Sequence, residues 1–179
     1  MKTFAAAATL LAAAPAALGQ FVGLSVRSAS PIHYGSINAA GSKFWIGKET
    51  SSYCPSEVVD CAPYPGNVTV FAGGDPTLGL STAVPGGQQV YIAPDGSLSF
   101  TQAHSAYIPE GSVTDGFTTS QSSGFGILSW TNGFIACPSA NGTFPYQVYG
   151  GGYSNNTACL GFDFLTSNYT GTAGAWQYA

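Results

Sequence analysis

Glycine and proline interrupt this chain so often that no stretch after Gln20 carries the pattern of a helix. The 179 residues include 24 glycines and 11 prolines, and apolar residues do not repeat at three-and-four spacing over any long window. Short runs rich in aromatic and β-branched residues lie between these breaks. The sequence therefore predicts an all-β fold.

The expected strands are short and closely spaced, which is typical of a single compact antiparallel sandwich or barrel. They are Phe21–Ser28, Lys43–Ile46, Val68–Phe71, Gln88–Ile92, Leu98–Phe100, Phe125–Trp130, Phe134–Cys137, Tyr146–Tyr149 and Phe162–Leu165.

Two turns predict β-hairpins, because their residues tolerate the positive φ angles of a tight turn. Asp95-Gly96 joins Val90–Ile92 to Leu98–Phe100, and Asn132-Gly133 joins Ile127–Trp130 to Phe134–Ala136. This repetition makes a β-trefoil-like barrel one form of the expected fold. The polar segment Ser112–Gly124 is expected to be a long exposed loop.

The first residues indicate export. Lys2 precedes an apolar run, and Ala17-Leu18-Gly19 offers small residues for cleavage, so residues 1–19 are predicted to be a signal peptide. Gln20 is then the first mature residue, and residues 20–179 form one all-β domain. We expect the mature protein to be extracellular or in the cell wall, without membrane association, and monomeric.

Charged residues make up only 7% of the chain, against about 25% in ordinary soluble domains. With so few lysines and arginines, binding to nucleic acid is not expected. Solubility is expected to come from N-linked glycans, for which the chain carries four acceptor motifs. The candidate asparagines are Asn67, Asn141, Asn155 and Asn168.

The four cysteines are expected to form two disulfides, since the chain is exported. Three pairings are possible, and we favour Cys54 with Cys61 and Cys137 with Cys159. Zinc binding is not expected, because Cys54 and Cys61 lack the spacing of a zinc knuckle. No cofactor or metal is predicted.

Catalytic chemistry finds little support in the sequence. His33 and His104 are the only histidines, and neither lies in a motif that supplies a nucleophile. Two facing carboxylates define a glycosidase, and Glu110 with Asp115 is the pair to test first. We expect a protein that is not an enzyme, with a small polysaccharide hydrolase as an alternative.

Aromatic side chains suggest carbohydrate binding instead, because exposed rings can stack on sugars. Trp45 and Trp130 fall in strand patterns and are expected to pack in the core. Trp176, near Tyr178, is the candidate ligand-stacking residue. A lectin-like or host-directed effector module that uses exposed aromatic residues is therefore a second alternative. The partner considered for this protein is cell-wall polysaccharide.

Several motifs follow one another in the order found in a known family. They are Phe21–Ser28, Ser30–His33, Val90–Ile92 with Asp95–Leu98, Phe134–Pro138, and Cys159. They resemble the fungal phialide-type cell-wall proteins and their relatives described as IgE-binding proteins. The resemblance implies a secreted fungal protein of the cell wall or culture fluid, linked in some relatives to development of spore-bearing cells. We therefore expect a non-enzymatic wall or surface glycoprotein. It implies no catalytic residues, and binding by IgE would be a response of the host.

Overall fold

A computed structural model describes residues 19–139 and 143–179. Most of the predicted signal peptide and the candidate glycosylation residue Asn141 lie outside the described residues. Within the described ranges the chain forms strands and turns and no helix, so no helix there could span a membrane. The all-β prediction is confirmed.

Fourteen strands lie within the described ranges. They are β1 (Phe21–Val26), β2 (Gly35–Ala40), β3 (Lys43–Ile46), β4 (Ser52–Tyr53), β5 (Val70–Gly73), β6 (Leu78–Leu80), β7 (Gln88–Ile92), β8 (Leu98–Phe100), β9 (Phe117–Ser122), β10 (Phe125–Trp130), β11 (Phe134–Pro138), β12 (Tyr146–Gly150), β13 (Leu160–Asn168) and β14 (Gln177–Tyr178).

Nine of these strands close into an antiparallel barrel. The order around the barrel is β1, β5, β6, β7, β8, β3, β12, β11 and β13, and β13 pairs with β1 to complete the ring. Strand β2 pairs with both β1 and β3. Strand β10 pairs with β13, and β9 pairs with β10. The barrel form of the predicted architecture is the one observed.

Phenylalanine rings from four strands meet inside the barrel. The ring of Phe71 lies 5.6 Å from Phe21, 5.2 Å from Phe44 and 5.4 Å from Phe164, measured between centroids. All four side chains are buried. Strand β1 leaves room for them at Gly23, where an added Cβ would lie 2.3 Å from the Phe164 ring. Burial of such rings contributes about 2 kcal/mol each.

The hairpin predicted at Asp95-Gly96 is confirmed, because β7 and β8 pair from Val90↔Phe100 to Ile92↔Leu98. The hairpin predicted at Asn132-Gly133 is wrong. The turn exists, with the Gly133 amide donating to the Trp130 carbonyl, but β10 and β11 do not pair with each other. Both pair with the long strand β13 and run in the same direction along it. The repetition that suggested a trefoil is therefore absent.

The prediction that Ser112–Gly124 is one long loop is wrong for part of the segment. Residues Phe117–Ser122 form β9 and pair with β10 over six residues. A buried phenylalanine, Phe117, fixes the start of the strand, and threonine favours extended backbone. Strands β2, β4, β6 and β14 were likewise not predicted.

Candidate functional site

The β7–β8 hairpin projects a carboxylate from the outer side of the barrel. The Gly96 amide donates to the Ala93 carbonyl and the Ala93 amide to the Ser97 carbonyl, while Gly96 has a φ of 82°. This is a type I turn followed by a bulge that requires positive φ. The side chain of Asp95 accepts a hydrogen bond from the Ser97 amide at 2.9 Å. The carboxylate is thus held in one orientation.

Lys43, at the start of β3, pairs with this carboxylate. Its Nζ lies 3.3 Å from Oδ2 of Asp95 and donates to Oγ of Ser97 at 2.9 Å. Burial raises the pKa of Asp95, but hydrogen bonds from Ser97 and the charge of Lys43 outweigh it and hold this pKa below its ordinary value. The pair is therefore charged at each end and neutral as a unit.

The contact between Ser97 and Lys43 has the atoms of a serine–lysine catalytic pair but not its accessibility. Ser97 is completely buried, and its hydroxyl donates to Oδ1 of Asp95 at 2.6 Å. A nucleophile must reach its substrate, and its base must be able to accept a proton. Ser97 meets no solvent and Lys43 is ion-paired, so this arrangement orders the hairpin.

Four tyrosines form what we call the tyrosine surface: Tyr91 and Tyr149 lie near Asp95, Tyr153 lies against Gly96, and Tyr107 lies near Tyr91. Tyr107 is 74% exposed and Tyr153 is 41% exposed, so their rings are available to a ligand. Tyr153 packs over Gly96, where an added Cβ would lie 2.2 Å from the Cβ of Tyr153. Only glycine at position 96 permits this contact.

The two more buried tyrosines keep their hydroxyl protons. Burial, followed by the negative charge of Asp95, raises the pKa of Tyr149. Burial also raises the pKa of Tyr91, with further contributions from Tyr107 and Asp95. A surface with phenol rings, hydroxyl groups and a fixed ion pair can offer both stacking and hydrogen bonds to a polar ligand.

A cleft of about 450 Å³ lies beside the tyrosine surface and is bordered by His104; we call it the His104 cleft. Its floor includes Gln89 of β7 and Thr101, whose main chains are joined by a hydrogen bond of 2.9 Å. His104 also borders a second cleft of about 370 Å³. Its φ is 60°, a conformation that costs energy for a residue other than glycine.

The three tryptophans lie in different environments, and only Trp130 reaches the tyrosine surface, with its ring 6.2 Å from that of Tyr153. Trp130 is buried, as predicted, and its indole nitrogen donates to the Asp115 carbonyl at 3.1 Å. Trp45, expected in the core, is half-buried on the outer side of β3, with the Lys48 ammonium 3.7 Å from its ring centroid. The side chain of Trp45 points outward from β3, which is why it is not in the core.

The predicted stacking residue Trp176 is half-buried. Its ring meets Tyr64 edge to face at 5.6 Å, so part of the indole packs against the fold. Tyr107 presents more free ring to solvent, and reasoning from the sequence did not single it out. Stacking of a ligand on Trp176 stays a prediction.

Neither Glu110 nor Asp115 forms an ion pair within the described ranges. Glu110 lies in the turn that leads to Val113, which bridges to Ile92 of β7. His33 is half-buried and accepts a hydrogen bond from the Arg27 amide at 3.2 Å. The structure gives these residues no shared reaction centre in the parts of the chain that it describes.

The structure contains both favoured disulfides. Cys54 is joined to Cys61, and Cys137 to Cys159, with sequence separations of 7 and 22 residues. The glycosylation candidates within the described residues, Asn67, Asn155 and Asn168, all have exposed side chains.

Comparison with known proteins identifies the family. A family profile described as PhiA-like secreted protein matches residues 21–179. A secreted protein of Arthroderma benhamiae is 40% identical over 157 residues, covering 79% of this chain and 76% of the relative. No solved structure matches the chain. The chain therefore belongs to the PhiA-like secreted protein family and is a secreted fungal protein.

Proposed function

We propose that this protein is a non-enzymatic glycoprotein of the fungal wall or cell surface, and that it binds wall polysaccharide through the tyrosine surface. The observation that carries the proposal is the exposed ring of Tyr107, which lies near Tyr91, and Tyr91 also lies near Asp95 of the fixed Asp95–Lys43 ion pair. Aromatic rings offer flat apolar faces with polar edges. Sugar rings have the same combination of an apolar face and hydroxyl groups.

The scaffold beneath this surface is rigid, which favours binding over a mobile catalytic loop. Gly96 accepts a hydrogen bond from the Gly150 amide at 2.9 Å, so the hairpin is tied to β12. Ser97 also bridges to Tyr149 of β12. A binding site held in one geometry before the ligand arrives loses less entropy on association.

Binding to insoluble wall glucan, chitin and mannan tests the proposal directly. We expect the purified protein to sediment with at least one of these polymers, and Tyr107→Ala to weaken binding about tenfold, as expected for loss of about 1.5 kcal/mol of stacking. Tyr34→Ala is the matched control, because Tyr34 is 63% exposed on a different turn. Equal loss in both variants, or no affinity for any wall polymer, would contradict the proposal.

The same samples separate binding from hydrolysis. We expect no release of reducing sugar from any of the three polymers. Release that is lost in Glu110→Ala or Asp115→Ala would favour the hydrolase alternative instead. Localisation of the tagged protein in the intact organism should place it in the wall fraction, and recovery only as free protein in the medium would count against wall association.

A further inference from the structure

The tyrosine surface and the His104 cleft lie on one continuous face of the barrel. Gln89 and Tyr91 are alternate residues of β7, so their side chains leave the sheet on the same side. Gln89 borders the cleft, whereas Tyr91 belongs to the tyrosine surface. Ala106, at the rim of the cleft, directly precedes Tyr107. A ligand stacked on Tyr107 is therefore one residue from the mouth of the cleft.

The polar groups that border the cleft are neutral amides and hydroxyls together with one imidazole. They belong to Gln89, Thr101, His104 and Ser105. No carboxylate or ammonium group borders the cleft in the part of the chain that the structure describes. At the other end of the face, Asp95 is neutralised by Lys43 at 3.3 Å. Such a lining matches hydroxyl and amide groups of a ligand and offers no partner for net charge.

Small residues leave the cleft open to a chain. Gly86 and Gly87 form one wall, and an added Cβ at either would meet no atom within 4 Å. The cleft is also bordered by Ala106, which is exposed. The volume of about 450 Å³ lies within the range of pockets that hold small organic ligands.

We propose that the ligand is a neutral polysaccharide that stacks on Tyr107 and continues into the His104 cleft. This inference rests on the proposed function and adds the charge class of the ligand and a second contact region. Neutral glucan and N-acetylated chitin share the required chemistry. Acidic polymers and deacetylated, cationic chitosan do not.

Titration with soluble β-1,3-glucan and chitin oligosaccharides of two and six sugars tests the inference. We expect the hexasaccharide of one series to bind at least tenfold more tightly than its disaccharide. Ala106→Trp should fill the cleft and remove this advantage, while binding of the disaccharide is unchanged. Ala62→Trp is the control, because Ala62 is exposed and outside the cleft. Unfolding midpoints show that each variant is folded.

A second variant keeps the inference testable if Ala106→Trp does not fold. Gln89→Ala removes an exposed amide from the cleft and should also lower affinity for the hexasaccharide alone. Hexasaccharide binding unchanged in a folded cleft variant, or tighter binding to chitosan or polyglucuronate, would overturn the inference. If Tyr107→Ala loses binding and the cleft variants do not, the proposed function stands and this inference fails. If wild type binds no oligosaccharide or wall polymer, both fail.

Discussion

Replacing Tyr178 by phenylalanine removes one oxygen atom from the network that holds the C-terminal strand β14 to the barrel. The hydroxyl of Tyr178 accepts a hydrogen bond from the Val70 amide at 2.9 Å and donates to the Val68 carbonyl at 2.9 Å. Tyr178 is 1% exposed. Its main chain is bonded at both ends to the side chain of Gln88, the first residue of β7.

The Val70 amide and the Val68 carbonyl each lose a hydrogen bond in this variant, but the cost differs. Val68 is partly exposed, so its carbonyl can find water, but Val70 is completely buried. The substitution therefore leaves one amide without an acceptor inside the fold, while the ring keeps its apolar contacts. A buried donor left unpaired costs about 1–3 kcal/mol. We expect Tyr178→Phe to lose about 2 kcal/mol, which lowers the melting temperature by about 4–8 °C for a chain of this size.

Guanidinium unfolding followed by circular dichroism measures this loss. The midpoint should fall while the slope stays that of wild type, because the surface exposed on unfolding is unchanged. Tyr34→Phe is the control, since Tyr34 is well exposed, and its effect should stay within about 0.5 kcal/mol. A loss in Tyr178→Phe no larger than in this control would refute the assignment of the Val70 amide to the tyrosine hydroxyl.

Two further predictions concern charge and glycans. Asp95→Asn should be less stable than wild type at pH 7, and this difference in stability should shrink as the pH falls below about 3.9. The reason is that hydrogen bonds from Ser97 and the charge of Lys43 lower the pKa of Asp95 in the folded state despite burial. Urea unfolding between pH 2 and 7 measures the difference, with Asp163→Asn, at an exposed residue, as the control. Asn67, Asn155 and Asn168 are exposed and should carry N-glycans in protein from the native host, so that enzymatic deglycosylation converts each to aspartate in peptide mass spectra; unmodified asparagine at these three positions and at Asn141 would contradict the glycoprotein proposal.

Strands rich in aromatic and branched apolar residues were predictable from the sequence. The bounds of β3, β7, β8 and β10 are those expected, because aromatic and branched residues there alternate or run continuously into the core. Strand β2 has the sequence Gly35–Ala40, with little apolar bulk, and it is extended because β1 and β3 each pair with it. Pairing partners of that kind leave no mark in the local sequence.

The two turn motifs show the limit of local signals more sharply. Asp95-Gly96 and Asn132-Gly133 have equivalent chemistry, and both form turns with positive φ at the glycine. The first reverses the chain into a hairpin. The second only offsets it, because β13 is nine residues long and offers one edge along which β10 and β11 both pair. Which outcome follows depends on a strand that comes later in the chain.

The candidate site depends on the same long-range order. Asp95 was recognised from the sequence as a turn residue, which accounted for it without a partner, whereas Lys43 lies 52 residues earlier. Strand β3 pairs with β8 at Lys43↔Ser99, and Ser97 bridges to Tyr149. These pairings bring the Lys43 ammonium group of β3 and the Tyr149 phenol of β12 close to the Asp95 carboxylate in the β7–β8 turn. Tryptophan content directed attention to Trp176, but its ring packs partly against Tyr64, whereas Tyr107, in the segment between β8 and β9, is exposed. Knowledge of the strand order alone would have placed Lys43 and Tyr149 beside Asp95, so the order of strands, more than residue composition, is what a sequence-based search for this site lacked.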